Sequence, residues 1–403
     1  MNYFSIHLRI YFILTFILLP IIITAQPNGE GLVVGKKFRI QSKVLMEERI
    51  IYVYLPPGYR QASEKYPVAY LLDGYEHFHY TSGIIKALAG NNKIPQMIII
   101  GILNVDRYRD FTPYPLDYFP NSGGADKFTK FLMEELFPYV EKYYRTEPHR
   151  LLIGHSLGGL FAIHTLIENN ELFNLYIAPS PALLHVDSVI TADYPSKLRK
   201  LTGTHKSIYF TIGGEESSET ISCATNLQNV FIRNAPAEIN WKFNFMENDN
   251  HTSLIFNSIY EGLLMVYKGW EVPVTTAKEG IDAVIQHYDD LSVRFEFKIQ
   301  ASAHKLNAIG KKLVNQKAYE SAINLLQKGV ELFPESAPLE NNLGVVYEYT
   351  GQLKLAKESY DNACTKAAMS REPYYALYVE NLNNVLSKLD NKKYKKVFEA
   401  QLL

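Results

Sequence analysis

Cysteine is scarce: the 403-residue chain carries two, Cys223 and Cys364. They lie far apart and neither belongs to a CxxC pair. That excludes a zinc ribbon or a thioredoxin-like redox site, and a bridge between the two is disfavoured. An excess of one charge is also missing. Lys and Arg number 41 against 42 Asp and Glu, a net charge of -1. A nucleic-acid binder normally shows a basic excess, so that class is set aside. Beyond the N-terminus no apolar run reaches the roughly 20 residues that a membrane-spanning helix needs.

What is present reads as globular. Apolar residues make up 47% of the chain and charged residues 21%, the balance of a packed protein rather than a disordered one. The 29 Tyr and 21 Phe fit a well-filled core or a wide apolar cleft. The length exceeds one ordinary core, so more than one unit is expected. At the start, Arg9 precedes the apolar stretch Ile10–Thr24, and Ala25 follows. That order predicts a signal peptide over residues 1–25. The stretch is short for a membrane span and Pro20 interrupts it. No Cys follows it for lipid attachment. The expectation is an exported protein, periplasmic or secreted, with no membrane span after cleavage.

Apolar runs at Pro67–Leu72, Met97–Ile102 and Arg150–Gly154 predict strands covered on both faces, the mark of a parallel sheet. Residues 31–56 read as a strand pair. Ser207–Ile212 and Asn240–Phe245 are two further strands. Helical spacing lies between them, clearest over Asp126–Tyr144. Strands alternating with helices predict a doubly wound, mostly parallel α/β domain over residues 31–272. From 278 to 403 the pattern is helical and repeats. Gly310 and Gly344, Tyr319 and Leu353, Ala322 and Ala356, and Leu326 and Tyr360 share the offset 344 − 310 = 34. That period predicts a tetratricopeptide-like domain, with Pro334 closing the first repeat and Ala368 in its place in the second.

Gly154-His155-Ser156-Leu157-Gly158-Gly159 is a GxSxG string. It gains weight from its setting, a buried-type strand before it and a helical run after it, as a nucleophile elbow requires. Ser156 is therefore the candidate nucleophile. A serine needs a base to take its proton. His251 ends the loop after the last strand, just before a helix, and is the candidate base. The acid that would orient it belongs to the loop after Ser207–Ile212. Glu216 is favoured there, Glu215 is the alternative, and Glu219 or Asp249 is left open. Backbone donors for an oxyanion are expected from Leu157 and from Gly74 or Tyr75. His155, Asp73, His77 and Arg109 are candidate cleft residues. His77 and His79 have no carboxylate cluster nearby, so no metal and no cofactor is expected.

Leu71-Leu72-Asp73-Gly74, the GHSLGG string, a Gly-x-x-Glu after a strand and His251 before the final helix together resemble one esterase family of α/β-hydrolases. It includes enterochelin and other siderophore esterases, S-formylglutathione hydrolases, feruloyl and acetylxylan esterases and mycolyltransferases. The similarity covers about residues 32–270. The segment Asn104–Pro113 resembles a loop of the family, and its charges read more readily as braces than as substrate contacts. The resemblance implies an α/β-hydrolase fold, an acyl-enzyme on Ser156, and a siderophore or polysaccharide ester as substrate. The helical tail resembles a bacterial subgroup and implies a possible protein partner through the repeats. Two other readings are an inert hydrolase domain serving as a scaffold and an acyltransferase.

Overall fold

The structure is a computed structural model that describes residues 31–60, 63–370 and 374–401. Residues 1–25, expected to be a signal peptide, lie outside the described residues. Eight strands form one sheet: β1 (Lys36–Ser42), β2 (Glu47–Tyr54), β3 (Tyr66–Leu71), β4 (Ile98–Ile102), β5 (Thr146–Ile153), β6 (Leu175–Pro179), β7 (Ser207–Gly213) and β8 (Asn240–Met246). Their order is β1-β2-β4-β3-β5-β6-β7-β8. β1 and β2 are antiparallel, as are β2 and β4, and every later pairing is parallel.

The central strands are buried on both faces because their apolar runs are continuous. Successive side chains point to opposite sides. Along β5, Leu152 joins the core with Phe128, Phe131 and Phe161, while Leu151 and Ile153 join the core on the other face. Removing either kind of contact by truncation to Ala costs roughly 2–5 kcal/mol. The helix expected over Asp126–Tyr144 spans 125–143, with a π-helical turn at Leu132–Leu136. Pro138 explains the irregularity, since it has no N–H to donate back into the preceding turn.

Four helices bear on the sheet's carboxyl edge: α1 (Gly74–Gly90), α2 (Leu157–Glu168), α3 (Ser218–Asn234) and α4 (Leu254–Val266). The parallel strands end there in short steps, β6 running on past the ends of β3 and β5, and β7 and β8 past that of β6. Leu71 pairs with Ile153, Ile153 with Ile177, Pro179 with Thr211 and Gly213 with Met246. Five consecutive loops therefore emerge along one edge, the place where open α/β sheets bind ligands.

Among the described residues seven helices follow, from Val274–Glu279 to Tyr375–Gln401. Among them α5 (Ala303–Asn315) and α6 (Tyr319–Leu332) recur as α7 (Ala337–Tyr349) and α8 (Leu353–Ser370), with starts offset by 337 − 303 = 34 and 353 − 319 = 34. The details recur at the same offset. Ser302 caps α5 by accepting from the Lys305 amide, and Ser336 caps α7 by accepting from the Leu339 amide. Lys317 and Gly351 turn the chain with φ of 58° and 74°. A Cβ on Gly310 would sit 2.6 Å from Leu326, and one on Gly344 would sit 2.7 Å from Tyr360. Glycine lets each helix pair close to that distance.

The helical region packs against the amino ends of the strands. His149 on β5 lies 5.6 Å from the ring of Phe295 and 5.1 Å from that of Phe297. The Asn174 amide donates to Glu296 beside β6, and Lys312 pairs with Glu271 at 2.7 Å. One hydrophobic cluster runs from Ile153 and Tyr209 through Trp270 and Phe295 to Leu326 and Tyr360. The chain from Gly35 onward is a single compact unit. Both cysteines are free thiols.

Candidate active site

Ser156 lies between β5 and α2 with φ 58° and ψ -115°. Positive φ is uncommon for a non-glycine residue and marks the tight strand-to-helix turn. The turn is held on both sides. The Ser156 amide donates to Pro179 O at 3.1 Å, and its carbonyl accepts from Ala182 at 2.9 Å. A Cβ at Gly154 would run into the carbonyl of Gly158, so the first glycine of the motif is sterically required.

His251 closes the loop after β8. Its Nδ1 stands 2.8 Å from Glu216 Oε2 and 2.8 Å from Ser180 Oγ. The imidazole is 42% exposed and the Glu216 carboxylate 5%, so the ring faces solvent and the carboxylate lies behind it. Glu215 is exposed, and its amide donates to Asp249 O at 3.1 Å. The adjacent glutamates thus part company. Glu216 turns inward to His251 while Glu215 stays at the rim. Gly213 and Gly214 make this possible, because a Cβ on either would strike the backbone of Asp249 or Glu247.

Burial works to raise the Glu216 pKa, but donors from His251, Ser180 and the Gly213 amide outweigh it and hold it below the usual carboxylate value. Glu216 is therefore an anion at neutral pH. It accepts from Ser180 Oγ at 2.7 and 2.8 Å and from the Gly213 amide at 3.0 Å.

His155 ties His251 to the elbow. Its Nε2–H donates to the His251 carbonyl at 2.8 Å, and the two rings are 4.6 Å apart. Burial, with the neighbouring His251 adding to it, lowers the His155 pKa to about 4, so this ring is neutral. His77 lies on its far side with ring centroids 5.7 Å apart, and is bonded to Tyr80 at 2.5 Å. Burial lowers the His77 pKa as well. Among the described residues the Ser156 hydroxyl makes no hydrogen bond, and the partners of the His251 ring are Glu216 and Ser180.

The amides of Gly74, Tyr75 and Leu157 open α1 and α2, where a helix has no internal acceptors. Parallel pairing of β3 with β5 sets these two helix starts side by side. Asp73, before Gly74, is buried. Its Oδ1 receives Arg107 Nε at 2.7 Å and its Oδ2 receives Arg107 Nη2 at 3.1 Å. Asn104 also donates to it. Arg107 Nη2 reaches on to the His155 carbonyl at 3.4 Å. Asp73 and Arg107 thus clamp the two helix starts together. Arg109 is committed elsewhere, to Glu47 at 2.6 and 2.9 Å and to Asp110 at 2.7 Å. Ser180 carries a role that the sequence reading did not single out, whereas Asn104 and Arg107 belong to the Asn104–Pro113 segment whose charges it read as braces.

A cleft of about 530 Å³ opens beside His251, lined by Leu183, Leu184, Glu215, Thr220, Asn250 and Thr252. Its size suits a small-molecule ligand. Among the described residues no cluster of three His, Cys, Asp or Glu side chains has metal-binding geometry.

A mostly parallel sheet of this order, with its serine elbow and His–Glu pair on neighbouring strand ends, places the protein among the α/β-hydrolases. Within that class, residues 42–254, just over half the chain, match the family described as "Putative esterase". The chain belongs to that family. Ferri-bacillibactin esterase BesA of Bacillus subtilis is 32% identical over an alignment covering 34% of this chain and 55% of BesA. The match thus spans about half the length of that relative. An IroE-like serine hydrolase from Shewanella oneidensis superimposes with TM-score 0.66 at 27% identity, covering 74% of this chain and 99% of that one. An uncharacterised protein from Capnocytophaga ochracea shares the fold at TM-score 0.58 and 17% identity over 88% of this chain and 99% of its own.

Proposed function

We propose that the protein is a serine esterase that cleaves a carboxylic ester of the siderophore class through an acyl-enzyme on Ser156. The hydrogen bond between Glu216 and His251 Nδ1, at 2.8 Å beside the elbow, is the observation that carries this reading. An anionic Glu216 favours the tautomer with its proton on Nδ1, which leaves the Nε2 lone pair free to accept a proton. His251 takes the Ser156 proton as Ser156 Oγ attacks the carbonyl carbon. The bond between these two side chains forms as substrate engages, since catalytic hydrogen bonds tighten in the Michaelis complex. Negative charge on the carbonyl oxygen is met by the amides of Leu157 and of Tyr75 or Gly74. His251 returns the proton to the departing alcohol, and water then releases the acid by the same sequence.

The siderophore assignment is supported by the ferri-bacillibactin esterase relative. Export is supported by the N-terminal pattern of residues 1–25. Among the described residues no helix is long and apolar enough to cross a membrane. The 34-residue recurrence supports a tetratricopeptide-like docking role for residues 278–403. Contacts with the strands' amino ends place that region away from the catalytic loops, which favours partner docking over coverage of the cleft.

The test is hydrolysis of p-nitrophenyl acetate and of ferric and iron-free tri-catecholate esters by wild type and Ser156→Ala. Turnover that disappears in the variant is expected. Equal turnover by both proteins would contradict the proposal.

A further inference from the structure

Ser180 stands where three strand ends converge. It follows β6, is fully buried and has φ 37°. Its amide extends the β6–β7 ladder by donating to Thr211 O at 3.1 Å. The residue before it accepts from the Ser156 amide, and Ala182, two residues on, donates to the Ser156 carbonyl. The short segment 179–182 therefore connects the elbow to the loop that carries Glu216.

The hydroxyl has one proton and two lone pairs. Glu216 is acceptor-only when ionised, and both its oxygens are within 2.8 Å of Ser180 Oγ. The single proton therefore points at Glu216. Toward His251 Nδ1, also at 2.8 Å, Ser180 can only accept. Nδ1 must then carry hydrogen, and that hydrogen is shared between Glu216 Oε2 and Ser180 Oγ. We propose that Ser180 is a positioning residue that fixes the Nδ1–H tautomer of His251 and holds Glu216 against it. The inference rests on the Ser156–His251–Glu216 reading and extends it to a fourth side chain.

Positive φ at a buried serine is a backbone conformation that glycine adopts freely. Its presence here is accounted for by the three bonds of the hydroxyl, since no backbone need calls for a side chain. Glycine also supplies a clean test, because Ser180→Gly removes the hydroxyl without opposing the local backbone.

The experiment compares Ser180→Gly and Ser180→Ala with wild type in kcat, KM and the rate of Ser156 phosphonylation, alone and in a Glu216→Gln background. A hydrogen bond to a charged pair predicts that kcat and the phosphonylation rate fall about 10- to 100-fold with KM unchanged. In the Glu216→Gln background the second substitution should cost almost nothing more, because residues acting as one unit are not additive. Wild-type kcat in Ser180→Gly would overturn the inference. So would an equal fall in both backgrounds, the mark of a packing role. Ser156→Ala separates the two levels. If it is inactive while Ser180→Gly is fully active, only the role of Ser180 falls. If Ser156→Ala retains turnover, the triad reading itself falls.

Discussion

Glu216 Oε2 and His251 Nδ1 lie 2.8 Å apart although 35 residues separate them in the chain. The contact joins the loop after β7 to the loop after β8, and it selects one glutamate from an adjacent pair.

Replacing Glu216 by Gln keeps the volume and removes the charge. The amide can present N–H to Nδ1 and stabilise the wrong tautomer. By analogy with acid-to-amide changes in serine hydrolase triads, kcat should fall about 10³- to 10⁴-fold. Glu215→Gln should leave kcat near wild type, because that carboxylate is exposed at the rim. Steady-state assays of the two variants side by side give the answer.

Tyr75→Pro tests the oxyanion donors. The Tyr75 amide lies in the first turn of α1, where proline is tolerated because no intrahelical bond is lost. Removing one such donor typically costs about 10²- to 10³-fold in kcat. The expected result is that loss with unaltered circular dichroism. Unchanged kcat would assign the donor to Gly74.

Much of this arrangement is legible in the sequence. The continuous apolar runs of β3, β4 and β5 announce buried strands, and the GxSxG string between a strand and a helix announces Ser156. His251 stands out because it ends the loop after the last strand, just before a helix. The pairing of β4 between β2 and β3 is not visible, since strand order depends on crossovers that leave no local pattern. Glu215 and Glu216 have the same local chemistry, and only the approach of the β8 loop separates them. Ser180 is silent for the same reason. A serine after a strand acquires meaning only when three loops meet around it. Asp73 and Arg109 sit in segments that resemble the family's, yet their partners, Arg107, Asn104 and Glu47, are set by tertiary contact.

His149 provides a pH-dependent reporter of the junction between sheet and helices. Burial lowers its pKa from 6.5 to about 3. Between those values the unfolded chain binds one more proton than the folded one, so folding stability rises with pH across that window and is lost as pH falls through it. The slope from this group is at most about 1.4 kcal/mol per pH unit. His149→Phe fits among Tyr267, Phe295 and Phe297 and carries no proton. Its melting temperature should fall less than that of wild type between pH 6.5 and pH 4.

The helical repeat yields a paired prediction. Lys317 adopts φ 58° where the equivalent residue is Gly351. A left-handed conformation costs an L-residue roughly 1–2 kcal/mol, part of which glycine gives back in chain entropy. Lys317→Gly should therefore raise the melting temperature slightly, and Gly351→Lys should lower it. Thermal melts of the two variants should move in opposite directions.

Treatment with a fluorophosphonate followed by peptide mass mapping tests the central claim most directly. One adduct on Ser156 is expected, forming in step with the loss of ester hydrolysis and greatly slowed in His251→Ala. Full esterase activity in protein with no adduct on Ser156, or an adduct that accumulates equally fast without His251, would contradict the account.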